Sequence, residues 1–173
     1  KLLTNAKLQT MIKQEEEEAK ELESNKTRLV AKASSLKDDD QINVMSGISG
    51  TLIHRSNTTG RMWQFESFGQ IEKMPFRELL TLRSLSNTTF TNGSLIILDT
   101  LVQEEFGLVD LYKTILTPEN IEEVIKKDIK ELEEFINSLP EAMKGTFVMK
   151  AMEMYESKEL DSASKIDFIQ NKF

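Results

Sequence analysis

The stretch that most constrains the fold is residues 51–85, because it predicts a small β-unit that leads directly into a helix. Residues 51–55 and 61–65 alternate in polarity as paired strands do. The five residues between them, Ser-Asn-Thr-Thr-Gly, are typical of a turn, since Asn and Gly accept positive φ. The chain's single Trp and single His both lie in this stretch.

A third strand is predicted at residues 68–74, followed by a helix over residues 75–82. Pro75 suits the first helical position, where its missing N–H would have no intrahelical partner. We expect the alternating strand residues, the helix and a later apolar strand to share one core. Its predicted members are Trp63, Phe65, Leu79, Leu80, Ile96 and Ile97.

Residues 1–37 contain no Gly or Pro and are rich in strong helix formers, which predicts a long helix. Apolar residues follow the alternating four-and-three spacing of a coiled coil, with interruptions at Glu15 and Lys26. Two arrangements fit this pattern: an arm that pairs with another chain, or a helix that folds back on its own domain. In the first case the partner-binding residues are Leu8, Ile12, Leu22, Leu29 and Leu36.

Three consecutive Asp residues, 38–40, are expected to end this helix, and residues 41–50, with two Ser-Gly pairs, predict a hinge or irregular lead-in. Asn92-Gly93 predicts a two-residue hairpin turn between strands at 88–91 and 95–98. Asp99 fits the N-cap of a helix over residues 100–106, and Gly107 fits the position that ends it.

Residues 117–173 predict helices only. Thr117 is the expected cap of a helix carrying one apolar stripe from Ile121 to Ile136. Ser138 and Glu141 match a capping box that opens a second helix, whose stripe comprises Met143, Phe147, Ala151, Met154 and Tyr155. Asp161 is predicted to cap a last helix that carries Ile166, Ile169 and Phe173 on one face.

The sequence therefore predicts an α+β protein in three parts. Residues 1–40 form a helical or coiled-coil arm, residues 41–116 a small antiparallel β-unit with interleaved helices, and residues 117–173 a C-terminal helical bundle. No run of 18 apolar residues exists, so we expect no membrane-spanning segment.

The side-chain chemistry argues against catalysis. There is no Cys, and the single His54 lies on a predicted strand without partners for a zinc site or a nucleophile elbow. No phosphate-binding loop or calcium loop is present. We expect no enzyme activity, no cofactor and no bound metal.

Two features leave a binding role open in alternative forms. The net charge is −7, and residues 117–173 carry 13 acidic against 8 basic side chains, which fits either a solvated surface or a docking face for a basic partner. Met143, Met149, Met152 and Met154 are either core or an adaptable partner groove. The net charge disfavours nucleic acid, although Trp63 and Phe65 beside basic residues could stack on bases if they faced solvent.

The order of these elements resembles a family of small structural or accessory proteins of tailed bacteriophages of low-GC bacteria. The likeness covers about residues 48–173. Its motifs are Asn-Thr-Thr-Gly60, Met74-Pro-Phe-Arg-Glu-Leu-Leu80, Phe106-Gly-Leu108, Ser138-Leu-Pro-Glu-Ala-Met-Lys-Gly145 and Glu159-Leu-Asp-Ser162.

The resemblance implies a virion component near the head or neck, assembled in the host cytoplasm, that binds other virion proteins such as the major capsid protein or a second copy of itself. The alternatives are a nucleic-acid-binding or regulatory module that uses the aromatic β-face, and a cytoplasmic coiled-coil adaptor.

Overall fold

A computed structural model of the 173-residue chain describes residues 13–14, 16–20, 23–24, 36–160 and 162–172. Two compact units divide the chain, Lys1–Leu36 and Lys37–Phe173. In the first unit, the described positions before residue 25 are helical. The second unit combines antiparallel strands with helices, so the predicted α+β class is confirmed at that level.

Five strands and seven α-helices make up the described part of the second unit. The strands are β1 (Gln41–Ser46), β2 (Leu52–Arg55), β3 (Met62–Phe65), β4 (Ile71–Pro75) and β5 (Leu95–Ile97). The helices are α1 (Phe76–Ser86), α2 (Thr88–Thr91), α3 (Thr100–Phe106), α4 (Ile121–Lys126), α5 (Ile129–Ser138), α6 (Glu141–Glu156) and α7 (Ala163–Lys172). A single 3-10 turn, Leu111–Thr114, follows α3.

The strands form two antiparallel sheets. One has the order β4-β1-β5, with Ile42 opposite Met74 and Val44 opposite Ile97. The other is the predicted hairpin of β2 and β3, in which His54 lies opposite Trp63. The predicted hairpin is therefore confirmed, and Gly60 in its turn has the expected positive φ of 70°.

The central strand β1 contradicts the prediction of a hinge at residues 41–50. Ile42 and Val44 are buried and alternate with the exposed Gln41 and Asn43, which is a strand pattern. β1 pairs on both edges, so it organises the larger sheet. The hinge interpretation was wrong because Ser46 is the last residue of the strand, and only Gly47, Ser49 and Gly50 lie in the loop that follows it.

The predicted hairpin at Asn92-Gly93 is also wrong. Residues 88–91 form the short helix α2, and β5 pairs with β1 instead. Asn92 lies in the right-handed region at φ −84°, whereas Gly93 has φ 78°. A Cβ at Gly93 would approach Pro140 Cβ to 2.9 Å, so this glycine also permits close packing against the start of α6.

The caps of α3 are confirmed. The Asp99 carboxylate accepts hydrogen bonds from the amides of Leu101 and Val102, and Gly107 ends the helix at φ 70°. The amide of Leu108 then donates to the carbonyl of Gln103 at 2.8 Å. Helix α1 begins one residue later than predicted, because Pro75 is the last residue of β4 and precedes the first helical turn.

The single helix predicted from Thr117 is two helices. Helix α4 begins only at Ile121, after a turn, and ends at Lys126. Asp128 then caps α5 by accepting from the amide of Glu131 at 2.9 Å. A carboxylate cap three residues before a Glu is itself a helix-start signal, and it explains why one apolar stripe is divided between two helices.

The predicted capping box at Ser138 and Glu141 is wrong as well. Ser138 is the last residue of α5, and its hydroxyl donates to the carbonyl of Phe135. Pro140 takes the N-cap position of α6. The predicted cap Asp161 and the predicted face residue Phe173 lie outside the described residues, whereas Ile166 and Ile169 are buried on α7.

Most of the predicted core is confirmed as buried. Trp63, Phe65, Leu79, Ile96 and Ile97 are all buried, while Leu80 is only half-buried. Along α1 the inward positions are Phe76, Glu78, Leu79 and Leu82, which leaves Leu80 toward the edge of the buried side.

The predicted segments 41–116 and 117–173 lie in the same compact unit. The hydroxyl of Thr146 on α6 donates to the carbonyl of Gly47 and accepts from the amide of Ser49. The amide of Ala142 donates to the carbonyl of Asn92. Helix α6 is thus bonded directly to the loops that border β1 and β5.

Candidate functional site

The second unit contains two candidate functional sites: a buried polar cluster beside the hairpin, and an exposed apolar side of α6. The cluster centres on Glu78, in the first turn of α1, whose side chain is almost completely buried. One carboxylate oxygen lies 2.8 Å from Nε2 of His54 on β2, and the other accepts from the Ser56 hydroxyl at 2.8 Å. One carboxylate therefore joins the hairpin to α1.

Each partner of Glu78 is held by further contacts. The Ser56 hydroxyl oxygen accepts from the amides of Thr58 and Thr59 in the hairpin turn. The His54 ring stacks on the Trp63 ring at a centroid distance of 5.7 Å. The Arg61 guanidinium lies 4.8 Å from the centroid of the same Trp63 ring. The indole N–H of Trp63 donates to a backbone carbonyl of β4.

Ser, His and Glu are the residue types of a nucleophilic triad, but their order here is different. In a triad the imidazole lies between the acid and the hydroxyl, so that it can take the hydroxyl proton. Here Glu78 lies between the other two, and the Ser56 hydroxyl donates to the carboxylate. This arrangement supplies Ser56 with no imidazole base, and what it does is fix the hairpin on α1.

Sequence reasoning missed this cluster. Glu78 follows Ser56 by 22 positions, and nothing in the local pattern links them. The available signal was weak: an acidic residue on the side of α1 where Phe76, Leu79 and Leu82 are buried.

The predicted partner-binding residues of the arm lie mostly outside the described residues. This applies to Leu8, Ile12, Leu22 and Leu29. Leu36 is described and half-buried, directly before the turn that precedes β1. The role of these five residues in binding stays a prediction.

The second candidate is the outward face of α6, which we define as Gly145, Met149, Met152, Tyr155 and Glu156. Met149 is 61% exposed and Met152 is 40% exposed, and Tyr155 is exposed to a similar degree. The opposite side of the same helix is fully buried through Met143, Phe147, Ala151 and Met154. Helix α6 is therefore apolar on two opposite sides, although only one of them is covered.

A cleft borders each side of this outward face. One, of about 520 Å³, lies between α6, the start of α4 and the loops at Gly50 and Phe68, and Met149 lines it. The other, of about 360 Å³, lies between α6 and α7, and Met152 and Tyr155 line it. The two methionines thus form a ridge between two open clefts.

The charges around this ridge are predominantly acidic. Lys144 pairs with Glu141, and Lys150 pairs with Glu122 and Glu153. Partial burial pulls the pKa of Lys150 down, but the hydrogen bond to Glu122 and the charges of Glu153 and Glu122 outweigh it, so the pKa lies above its ordinary value. Both lysines of α6 are therefore occupied by carboxylates of the protein itself.

Two carboxylates on the second cleft have no such partner. Glu156 and Asp167 both line it, and neither forms an ion pair with any described residue. One interpretation of the late methionines is confirmed for Met143 and Met154, which are core. Met149 and Met152 lie open to solvent, and their role in a partner groove stays a prediction.

Neither a group of metal-binding side chains nor a membrane-spanning helix occurs in the part of the chain that the structure describes. No group of three His, Asp or Glu side chains converges there in a way that could hold a metal ion. Nor does any helix among the described residues have the length and apolarity needed to cross a bilayer. No family model, curated protein or solved structure matches this chain.

Proposed function

We propose that this chain is a non-enzymatic structural protein of a tailed-phage virion, a head- or neck-associated accessory subunit that binds other virion proteins. The resemblance of residues 48–173 supplies the virion setting. The outward face of α6 supplies the means of binding, and it is the observation that carries the proposal. The major capsid protein or a second copy of the chain is the proposed kind of partner.

Helix α6 exposes apolar side chains on a side that the fold leaves uncovered. A helix on the surface of a domain normally has one apolar side, which faces the core, and polar residues on the opposite side. Helix α6 buries Phe147 and Ala151 on one side and leaves Met149 and Met152 uncovered on the other. Met149 and Met152 are three positions apart and so are neighbours on the helix surface, and we propose that a partner covers them.

The aromatic β-face favours this proposal over nucleic-acid binding. Base stacking needs the flat face of an aromatic ring at the surface. Trp63 is only 4% exposed and Phe65 is fully buried, so the hairpin turns both rings inward. The exposed residues of β3 are Met62 and Gln64 instead.

The test is the composition of particles purified from the source by density gradient. Quantitative mass spectrometry should find the chain in a constant ratio to the major capsid protein across gradient fractions. A chain carrying Met149→Ser with Met152→Ser should be made normally but be depleted from particles, whereas Met62→Ser should leave incorporation unchanged. Recovery of the unaltered chain only from the soluble fraction would contradict the proposal.

A further inference from the structure

We infer that the outward face of α6 receives an amphipathic helix of a partner protein, with an apolar stripe that enters the two clefts and basic residues along its flanks. This inference rests on the binding role proposed above and adds the chemistry of the partner. Three observations on α6 carry it: the ridge between clefts, an unexplained glycine, and the sign of the uncompensated charge.

The shape of the surface fits a helix. Helices pack when the side chains of one enter the grooves beside a row of side chains on the other. Gly145, Met149, Met152 and Glu156 follow one another at spacings of four, three and four, so they form one such row along α6. The clefts on either side of Met149 and Met152 are the grooves that side chains of a second helix would fill.

Gly145 indicates where the partner's backbone comes close. Glycine inside a helix is unfavourable relative to alanine, so its presence calls for a reason. The fold offers none at this position, since a Cβ built at Gly145 meets no described atom within 4 Å. By contrast, a Cβ at Gly47 would collide with the carbonyl of Gly93. A close approach by a second helix supplies the missing reason, because small residues let helix backbones draw together.

The charge around the ridge selects a basic partner. Glu122 and Glu153 line the first cleft, and Glu156 and Asp167 line the second, against one lysine that two of these carboxylates already hold. An acidic rim opposes acidic flanks and attracts Lys or Arg, and charges of this kind govern which partner is accepted. Methionine adds adaptability, as it does on other surfaces that bind amphipathic helices.

The experiment uses the full chain and three labelled model peptides of about 16 residues, the length of α6. The first is a helix of Leu and Lys with one leucine stripe, the second has Glu in place of every Lys, and the third has the composition of the first with the stripe scrambled. Binding is measured by fluorescence anisotropy at low and high salt, because attraction between exposed charges weakens as salt rises.

We expect saturable binding of the Leu–Lys helix and little binding of the other two peptides. Met149→Ser with Met152→Ser should weaken binding by about tenfold or more, since most of the buried apolar area is lost. Gly145→Leu should weaken it comparably while the chain stays folded. Met62→Ser, which alters an equally exposed methionine on β3, should change nothing.

The charge test uses Glu156→Gln with Asp167→Asn, which should weaken binding severalfold at low salt and less at high salt. The matched control is Glu104→Gln with Glu105→Gln, which removes the same two charges from exposed residues of α3 that line neither cleft. Circular dichroism checks that every variant keeps its helices.

Three results would overturn the inference. If the Leu–Lys helix bound the methionine double variant as tightly as the unaltered chain, charge attraction alone would account for the binding, and the methionines would not contact the peptide. If the acidic or the scrambled peptide bound as tightly as the Leu–Lys helix, the site would not select a basic partner helix with an apolar stripe. Absence of binding of the Leu–Lys helix would also overturn it, and a dimer seen by sedimentation and lost in the double variant would then make a second copy the occupant. The proposed function is tested separately, by the composition of the particles, and these three peptide results would leave that test unaffected.

Discussion

The cluster at Glu78 and the outward face of α6 are opposites, and the contrast explains why we propose binding at the second and not at the first. The cluster has the residues that suggest chemistry, yet His54 and Ser56 each bond to Glu78, and all three are mostly buried. The outward face of α6 has unreactive residues, yet Met149 and Met152 lie open between two clefts. Polar groups with bonded partners stabilise the fold, whereas apolar surface without a cover provides energy for association.

The largest effect should come from the core beside the hairpin. Phe65→Ala removes a fully buried ring and should lower the free energy of unfolding by about 3–5 kcal/mol. Met62→Ala, three residues earlier on β3 and exposed, should change it by less than about 0.5 kcal/mol. Urea denaturation of the two variants measures both values, and an unchanged midpoint for Phe65→Ala would refute the assigned core.

The next effect should come from the cluster itself. Glu78→Ala leaves the buried Ser56 hydroxyl without its acceptor and His54 without its partner, and it should cost about 1–3 kcal/mol of unfolding free energy. The control is Glu104→Ala on α3, which is exposed and should cost almost nothing. If both substitutions prove equally mild, Glu78 does not join the hairpin to α1.

Loss of a helix cap should give a smaller effect, and two predicted cap residues, Asp99 and Ser138, can be compared. Asp99→Ala should cost about 0.5–2 kcal/mol, because the carboxylate accepts from two amides at the start of α3. Ser138→Ala should have little effect, because this serine ends α5 and does not cap α6. Thermal melts of both variants make the comparison, and a larger loss for Ser138→Ala would restore the capping box that the sequence suggested.

The smallest effect should have the opposite sign. Gly145→Ala should raise the free energy of unfolding by about 0.4–1 kcal/mol, since the helix gains a better helix former and the added Cβ meets no described atom. Gly107→Ala, at a φ of 70°, should instead destabilise the chain by about 1–2 kcal/mol. A destabilised Gly145→Ala would mean that the fold itself requires this glycine.

Local signals predicted the parts of the fold that local chemistry determines. The hairpin turn ending at Gly60, the Asp99 cap and the Gly107 terminus all depend on residues within a few positions of one another. The errors arose where distant partners decide the structure. Residues 88–91 have strand-like composition but form a helix, because β5 pairs with β1 across more than 40 positions.

The site was only partly visible in sequence for the same reason. The apolar residues on two sides of α6 can be read from residues 141–156, but which side the fold covers depends on the packing of Phe147 and Met154 against the rest of the unit. The sequence carries a cap signal at Asp128 for a new helix, but the apolar stripe continues past this residue and predicts one helix instead of two. The contact between Ser56 and Glu78 follows only from the folded arrangement of β2 and α1.

The central claim is that the outward face of α6 is covered in the assembly and open in the free chain, and methionine oxidation tests it most directly. Dilute peroxide converts accessible methionine to its sulfoxide, and mass spectrometry measures the rate at each position. In the free chain, Met62, Met149 and Met152 should react readily, while the buried Met74 and Met143 should be protected. In the assembled particle Met149 and Met152 should become protected while Met62 still reacts. Oxidation of Met149 and Met152 at the same rate in the particle as in the free chain would contradict the account.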